Sequence, residues 1–323
     1  MGSCTTRPAG SPASAPDVAV GVDALAPWRA HARFDAPGLA APVVVGCSGG
    51  ADSVALLALA CDAGLAPVAV HVDHGVRRGS DAEAAAVAEV AERLGARFAA
   101  RSVRIDPGGN LEARARDARH AALDDARRAA GASMVLLGHT QDDQAETVVL
   151  NLLRGAASPG LAGMAAARGT VARPLLGMRR AETRAICDAL ALPVLDDPMN
   201  ADPAFRRVAV RTSVLPLLSE VAGRDLVPVL ARQAEVLRDE SEFLDALATA
   251  AWPGDAGPVA AALAAMPAVI ARRAVREFLG PPPPSRAEVE RVLDVARGVA
   301  RATELAGGRV VRRTSGRLVV DAR

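Results

Sequence analysis

The sequence lacks lysine and tyrosine entirely, so all 38 basic residues among its 323 are arginine. A Walker A phosphate loop, a pyridoxal Schiff base and a nucleotide carried on an amine each require a lysine side chain. The sequence therefore excludes these three kinds of site. Aromatic residues are also scarce, at 2% of a chain that is 50% hydrophobic, and we expect Ala, Val and Leu to fill the core.

Cysteine is sparse and unpaired along the sequence. None of the four cysteines belongs to a C-x-x-C pair; they are Cys4, Cys47, Cys61 and Cys187. This spacing predicts neither a disulfide framework nor a zinc knuckle, and it favours a reducing, cytoplasmic location.

Long hydrophobic runs are missing as well. The longest uncharged stretch, residues 256–271, is rich in Ala and interrupted by Pro258 and Pro267, which argues against a membrane span and a membrane partner. The first 16 residues are rich in Ser, Pro, Ala and Thr without an apolar core. We therefore expect a disordered leader and not a signal peptide.

Positive charge is concentrated near the end of the chain. Residues 268–323 hold 12 Arg and 6 acidic residues, a local charge of +6, whereas the whole chain has a net charge of +1. Clustered cations favour a nucleic-acid contact surface, because neutralised phosphates release counterions. An ordinary solvated face of surface helices is the alternative interpretation.

The first two thirds of the chain alternate strands with helices. Buried strands are predicted at 42–46, 68–72 and 134–138, and helices follow at 54–61, at 81–94 and from near Asp142. This order predicts an α/β fold with a doubly wound, mainly parallel sheet, Rossmann-like, whose ligands bind at the carboxyl ends of its strands.

The strand pattern stops after about Leu218. A long helix is predicted at 226–247, two further helical stretches follow, and residues 308–320 alternate around Ser315-Gly316 as a hairpin does. The domain organisation predicted is a disordered leader and short helix over 1–40, a catalytic domain over 41–218, and a smaller, mostly helical substrate-binding domain over 219–323 ending in a hairpin.

A glycine-rich hexapeptide, Ser48-Gly-Gly-Ala-Asp-Ser53, lies where the first buried strand turns into a helix. Glycines let the backbone approach an anion, and free N–H groups and two hydroxyls offer donors to phosphate oxygens. Strand, SGGxDS and helix together resemble the pyrophosphate loop of the PP-loop ATP pyrophosphatases, which cut ATP between its α and β phosphates. A turn that merely closes a βα unit is the alternative.

A second motif, Gly138-His-Thr-Gln-Asp-Asp-Gln-Ala-Glu-Thr147, follows the third predicted strand. Its carboxylates Asp142, Asp143 and Glu146 are spaced three and four apart, which brings them together on one helix face. Like charges repel, so such a cluster indicates a bound cation, either a metal or an ammonium group. An acidic, solvated helix start is the simpler explanation.

Further blocks in the same order make the sequence similar to the tRNA(Ile)-lysidine synthase family. They are 71–77 (HVDHGVR), 112–120 (EARARDARH), 173–176 (RPLL), 197–211 (DPMNADPAFRRVAVR) and Leu215-Pro216, so that the resemblance covers about 43–218. Two positions depart from the family pattern: His120 stands where Tyr is common, and Val208 where Asn is common.

The resemblance implies a two-step reaction on an isoleucine tRNA with a CAU anticodon. ATP would adenylate the ring carbonyl of the wobble cytidine, releasing pyrophosphate, and the ε-amine of free lysine would then displace AMP. The implied ATP-binding residues are Ser48, Gly49, Gly50, Ala51, Asp52 and Ser53, with His71 near the adenine. A homodimer is possible.

The resemblance also implies the remaining site residues. Asp52 would hold Mg²⁺ together with the ATP phosphates, and the lysine would be bound by Asp142, Asp143 and Glu146. The implied catalytic residues are Asp52, Asp142, Asp143, Glu146, Arg116 and Arg207, and the implied tRNA-binding residues are Arg119, Arg211, Arg309, Arg312 and Arg313.

Two other functions compete with this one. A PP-loop enzyme that thiolates tRNA would use Cys47 as a sulfur carrier, but no second cysteine lies nearby in sequence to resolve a persulfide. A non-catalytic module that binds adenine nucleotides would need neither the acidic motif nor the basic tail.

Overall fold

The computed structural model describes residues 24–73, 80–104, 111–195, 205–250 and 257–321. The predicted leader, the first 16 residues, lies outside these ranges. A short helix is present within the predicted first segment as α1, Ala26–Arg29.

A six-stranded sheet forms the centre of the α/β region, in the order β3-β2-β1-β4-β6-β5. All neighbouring strands run parallel except the β5 and β6 pair, which is antiparallel. The strands are β1 Val43–Gly46, β2 Pro67–Asp73, β3 Arg97–Ser102, β4 Val135–Leu137, β5 Ala167–Arg168 and β6 Val171–Ala172. The predicted doubly wound, mainly parallel sheet is confirmed.

Helices lie between and after the strands. They are α2 Ala51–Asp62, α3 Ser80–Arg93, α4 Leu111–Ala129, α5 Gln141–Leu153, α6 Ser158–Leu161, α7 Arg180–Ala189, α8 Arg206–Ala209 and α9 Leu215–Ala222. Of these, α2 and α4 pack on opposite faces of the sheet. The three predicted helices correspond to α2, α3 and α5.

The apolar run of β1 is buried on both faces of the sheet. Val43 and Val45 pack with the helix α2, whereas Val44 packs with Leu123 of α4 on the opposite face. A strand enclosed in this way needs no polar alternation, which is why the sequence shows a continuous β-branched run there.

The order of the strands creates a topological switch point beside β1. The chain moves outward from β1 to β2 and β3, and then returns to place β4 on the other side of β1. The loops that leave β1 and β4 therefore diverge and open a crevice at the carboxyl edge, where α/β proteins bind ligands.

Gly138, just after β4, lies against the start of α2. A Cβ atom at this position would be 2.7 Å from the backbone oxygen of Asp52. Only glycine fits such a close approach. Gly138 therefore sets the distance between the loop that follows β1 and the loop that follows β4.

The helical run after residue 205 contains a π-helical segment, Val210–Val214, between α8 and α9. The N–H of Leu215 bonds to the carbonyl of Val210, five residues earlier. Pro216 has no N–H and cannot form the bond to Thr212 that an α-helix would require. The wider turn here is therefore a local consequence of the proline.

The chain divides into two compact units. One contains the described residues up to Glu146 together with Met164–Pro228, and the other contains Thr147–Gly163 and Val229–Arg323. The domain boundaries expected from the sequence stay a prediction.

The second unit is mostly helical and ends in a small antiparallel sheet. Its further elements are α10 Val227–Ala250, α11 Ala260–Ala265, α12 Ala268–Leu279, α13 Arg286–Arg297, β7 Ala302–Glu304, β8 Val310–Thr314 and β9 Arg317–Asp321. Between β8 and β9, Ser315 and Gly316 both have positive φ, at 50° and 78°, as a two-residue hairpin turn demands. The predicted hairpin is confirmed, and β7 adds a third strand to it.

Neither unit contains, within the described ranges, a helix both long and apolar enough to cross a membrane.

Replacing Gly138 by Ala tests the close approach of the two loops. We expect a loss of about 1–3 kcal/mol in the free energy of unfolding, because the added methyl group must push the start of α2 away. Gly177→Ala is the matched control, since a Cβ there would meet only the His31 carbonyl oxygen at 3.5 Å. Equal urea midpoints for the two variants would contradict this account.

Candidate active site

The Ser48–Ser53 segment forms a folded loop between β1 and α2. Ser53 is buried, and its hydroxyl accepts a hydrogen bond from the backbone N–H of Ser48 (3.2 Å) and donates one to the carbonyl of Gly50 (2.9 Å). No side chain caps the start of α2 at Gly50. The first N–H groups of this helix are therefore available to an anion, as the phosphate-loop hypothesis requires.

Gly49 has a φ of +87°, and a Cβ atom there would be 2.5 Å from the Leu195 side chain. Both the backbone conformation and the close contact require glycine. Gly49 thus does more than close a turn, because it lets the loop lie against the chain that follows α7.

Asp52 is in the first turn of α2 and faces α7. Its carboxylate accepts a hydrogen bond from Thr183 Oγ1 (2.5 Å) and is 3.6 Å from Arg180 Nε. Burial raises the pKa of Asp52, and the Thr183 hydrogen bond and the Arg180 charge offset only part of this effect. A further cation beside this carboxylate would be stabilising and would lower the pKa of Asp52 again.

Asp142 and Asp143 begin α5, beside Arg179 and Arg180 at the start of α7. Arg179 binds both oxygens of Asp142 at 3.2 Å, and the backbone N–H of Arg180 donates to the same carboxylate at 2.8 Å. Asp143 accepts two hydrogen bonds from Thr140, through its N–H and its hydroxyl, each at 2.9 Å. Burial raises the pKa of Asp143, but Arg180 and the Thr140 N–H outweigh it, so the net pKa is lowered.

Glu146 is fully buried, one turn further along α5. Three guanidinium groups contact its carboxylate: Arg211 at 2.7 Å, Arg207 at 3.2 Å and Arg180 at 3.3 Å. A buried carboxylate without such partners would cost several kcal/mol. The acidic motif is thus not a solvated helix start.

The cations expected beside the acidic motif are, in the described structure, arginines of the protein itself. Of these, Arg207 and Arg211 were predicted to be site residues, but Arg179 and Arg180 were not. A usable signal was present, because two arginines at a helix start oppose the helix dipole unless carboxylates compensate them.

A group of basic residues lies close to the acidic cluster. Burial lowers the pKa of Arg119, and the like charges of Arg116 and Arg207 lower it further. Over the described ranges neither Arg116 nor Arg119 forms an ion pair. Arginines that repel one another in this way indicate an anion-binding position, for which phosphate is the matching ligand.

Two histidines accompany these arginines. Burial lowers the pKa of His139 to about 3, although the Asp143 carboxylate opposes the shift. Burial also lowers the pKa of His120, with Arg119 and Arg116 adding to the effect. Both imidazoles are therefore neutral near pH 7, and His120 occupies the position where the family commonly has a tyrosine.

His71, at the end of β2, is buried beside the phosphate loop. Its Nδ1 is 3.2 Å from the carbonyl oxygen of Cys47. Its Nε2 is also buried and has no hydrogen-bond partner in the described part of the chain. Because buried polar atoms normally have partners, this nitrogen is a candidate for a ligand contact.

The predicted tRNA-binding residues Arg309, Arg312 and Arg313 lie in the other unit. Arg309 donates to the carbonyl of Leu279 (2.8 Å), Arg313 to that of Ala296 (3.4 Å), and Arg312 pairs with Asp321 (3.0 Å). Each is engaged within its own unit, and contact with tRNA stays a prediction.

Glu146→Gln tests whether the buried carboxylate supports the cluster. We expect the free energy of unfolding to fall by about 3 kcal/mol, because three arginines lose their shared counter-charge. The loss is limited because these arginines remain partly exposed to solvent. Glu220→Gln, at an exposed position, is the control and should change stability by less than about 0.5 kcal/mol. Similar unfolding curves for both variants would show that the cluster contributes little to stability.

Comparison with known proteins places the sequence in a family. The model of a PP-loop domain matches residues 30–218. A tRNA(Ile)-lysidine synthase from Nocardia farcinica is 49% identical over 75% of this chain and 77% of its own length, and one from Streptomyces coelicolor is 45% identical over 88% and 87%.

A solved structure, the U34-tRNA thiolase NcsA from Methanococcus maripaludis with its 4Fe-4S cluster, has 18% identity and a TM-score of 0.53 over 67% of this chain and 78% of its own. At that identity the likeness concerns the fold only. The family model covers more than half of the chain, and the relatives match most of it at over 40% identity. This chain therefore belongs to the tRNA(Ile)-lysidine synthase family of PP-loop proteins.

Proposed function

We propose that this protein joins free lysine to the wobble cytidine of an isoleucine tRNA with a CAU anticodon, using ATP and releasing AMP and pyrophosphate. The product, lysidine, changes decoding from AUG to AUA. The observation that carries the proposal is the phosphate loop after β1 beside the carboxylate and arginine cluster after β4, at the switch point of the sheet. The tRNA substrate of this reaction is inferred from the family to which the chain belongs.

The loop at Ser48–Ser53 would bind the ATP phosphates through its backbone N–H groups and hydroxyls. His71, with its unpartnered buried Nε2, would face the adenine. This arrangement would orient the α-phosphorus towards the crevice between the two loops, where an incoming base could reach it.

Asp52 would hold magnesium together with the ATP phosphates. Its carboxylate is a hard oxygen ligand, and magnesium commonly takes one or two such ligands plus phosphate oxygens. The described residues contain no group of three acidic, His or Cys ligands that could hold a metal by themselves, which fits a shared site of this kind. When bound, magnesium would neutralise phosphate charge.

In the first step, the ring carbonyl oxygen of the cytidine attacks the α-phosphorus and pyrophosphate leaves. Arg116, Arg119 and Arg207 would offset the charge that develops on the phosphate oxygens. The lowered pKa of Arg119 beside its two basic neighbours supports this role, because an anion relieves their repulsion.

In the second step, the lysine ε-amine attacks the activated carbon of the base and AMP leaves. Asp143 has a lowered pKa, so it stays ionised and would hold an ammonium group of the lysine. Asp142 would contribute a second carboxylate. Glu146, which is fully buried, would act by keeping Arg207 and Arg211 in place.

The basic second unit would contact the tRNA outside the reacting base. Arg312 keeps more than half of its side chain exposed while pairing with Asp321. Positions such as Arg309 and Arg313, anchored on backbone carbonyls, present charge at fixed places, which suits phosphate contacts that position an RNA.

Thiolation is less well supported than lysine transfer. Burial raises the pKa of Cys47, and it raises the pKa of Cys61 to about 11 and that of Cys187 to about 12. Thiols with raised pKa values are poor nucleophiles near neutral pH. A merely nucleotide-binding module would not need the arginine and carboxylate cluster beside the loop.

The direct test is incorporation of labelled lysine into a transcript of the isoleucine tRNA with a CAU anticodon. We expect incorporation that requires ATP and yields AMP and pyrophosphate in equal amounts. A transcript with a GAU anticodon is the control, because it lacks the wobble cytidine. Formation of ADP, or equal labelling of both transcripts, would contradict the proposal.

Asp52→Asn separates the catalytic from the structural role of this carboxylate. We expect modification to fall by about 100-fold or more, because a charged group at the phosphates is lost, while the fold remains intact. The pKa of Asp52 is raised in the folded protein, so wild-type stability decreases as the pH rises through that pKa.

The Asn variant escapes this decrease. It should be at least as stable as wild type at pH 7, and any gain should vanish below about pH 4, where the wild-type carboxyl is protonated in both states. Urea unfolding of both proteins across a pH series measures the difference. A variant that is clearly less stable at pH 7 would show that Asp52 is a structural residue.

A further inference from the structure

Arg180 connects the two halves of the candidate site. Its guanidinium is 3.6 Å from Asp52 in the phosphate-loop helix, and 3.0 Å from Asp143 and 3.3 Å from Glu146 on α5. One side chain thus shares its charge between the residue expected beside the ATP phosphates and the residues expected beside the lysine.

The charges of the cluster are largely compensated without any ligand. Four carboxylates are paired with four guanidinium groups; the carboxylates are Asp52, Asp142, Asp143 and Glu146, and the guanidinium groups are Arg179, Arg180, Arg207 and Arg211. Arg179 pairs in addition with the half-exposed Asp225, at the rim of the cluster. An ammonium group that enters this site therefore meets little uncompensated negative charge. In the protein without ATP, the electrostatic attraction between this site and lysine is therefore weak.

Bound ATP changes this balance. Its triphosphate at Ser48–Ser53 carries more negative charge than one magnesium ion neutralises. Arg180 already lies near Asp52, at the edge of the loop, and would be attracted to the phosphates. Asp143 and Glu146 would then lose part of their compensation and attract a cation.

The local structure allows the guanidinium to move while its surroundings stay in place. The backbone N–H of Arg180 is fixed by its 2.8 Å bond to Asp142, and the Asp143 carboxylate keeps both bonds from Thr140. The Arg180 side chain itself is 29% exposed, so it can change partners without opening the core.

We propose that Arg180 is a positioning residue that couples the two substrates: it occupies the carboxylates of the amine site until ATP binds, so that lysine binds tightly only after the nucleotide. This inference rests on the proposed function. Such an order protects the reaction, because lysine enters when the nucleotide that activates the base is already in place.

The coupling can be measured in the wild-type protein. Labelled lysine is equilibrated with the full chain and magnesium, with and without the α,β-methylene analogue of ATP, which cannot be cleaved between those phosphates. We expect the analogue to tighten lysine binding by about 10-fold or more, within the usual range of coupling between two sites. By linkage, lysine should tighten binding of the analogue by the same factor. Equal lysine affinity in both conditions overturns the proposal.

Arg180→Gln provides the second measurement. Without nucleotide, this variant should bind lysine more tightly than wild type, because one competing cation is gone, and the analogue should then change its affinity by less than about twofold. Arg180→Lys, which keeps the charge, should retain part of the coupling. Arg184→Gln, on the same helix and outside the cluster, should behave as wild type. Full coupling in Arg180→Gln overturns the proposal.

If Arg180→Gln does not fold, as judged by circular dichroism, the wild-type comparison and Arg180→Lys still decide. In Arg180→Lys, a purely structural defect would lower kcat alone, whereas a cationic side chain that stays on Asp143 and Glu146 after ATP binds would raise the KM for lysine. If the protein incorporates lysine into tRNA but the nucleotide analogue does not change lysine affinity, only this inference is contradicted. If the analogue tightens lysine binding but no lysine is incorporated into tRNA, the proposed function is contradicted.

Discussion

A fully buried carboxylate is the constraint on which the rest of the site depends. A carboxylate as deeply buried as that of Glu146 needs cations around it, and the chain supplies three, from α7, α8 and the π-helical segment. These elements are distant in sequence. The buried charge thus fixes where the last helices of the catalytic region must lie relative to α5.

The sheet then places this charged cluster beside the phosphate loop. Because β1 and β4 are neighbours, the loops that follow them share one edge, and Gly138 lets them approach closely. The phosphate binding that we propose needs no lysine, because helix N–H groups and arginines would provide the donors. The positive charge of the cluster is carried by arginine guanidinium groups, which remain protonated at every physiological pH.

Much of this architecture could be predicted from the sequence, because continuous β-branched runs mark buried strands and the two motifs follow such runs directly. The strand β3, Arg97–Ser102, was not predicted: it lies at the sheet edge, carries arginines and alternates weakly. The two-residue strands β5 and β6 are too short to leave a pattern. Their existence depends on tertiary pairing and not on local preference.

The acidic motif was recognised, but its partners were only half identified. Spacing on one helix shows that Asp142, Asp143 and Glu146 lie together, whereas the approach of Arg179 and Arg180 depends on how α7 packs against α2 and α5. Because these arginines are distant in sequence from the acidic motif, the contact could not be predicted from the spacing of residues. Similarly, a basic tail was evident from composition, but Arg309, Arg312 and Arg313 proved to be anchored on backbone carbonyls or on Asp321, which no charge count reveals.

The π-helical segment has a consequence for how the protein can change during evolution. Val210–Val214 contains one residue more per turn than an α-helix, and Arg211 and Arg207 both reach Glu146 with that geometry. Deleting a single residue there would rotate one of these arginines by about 100° relative to the other, and so away from the carboxylate. Surface loops generally tolerate insertions and deletions, whereas a change in the length of this helix would move Arg207 and Arg211 relative to each other.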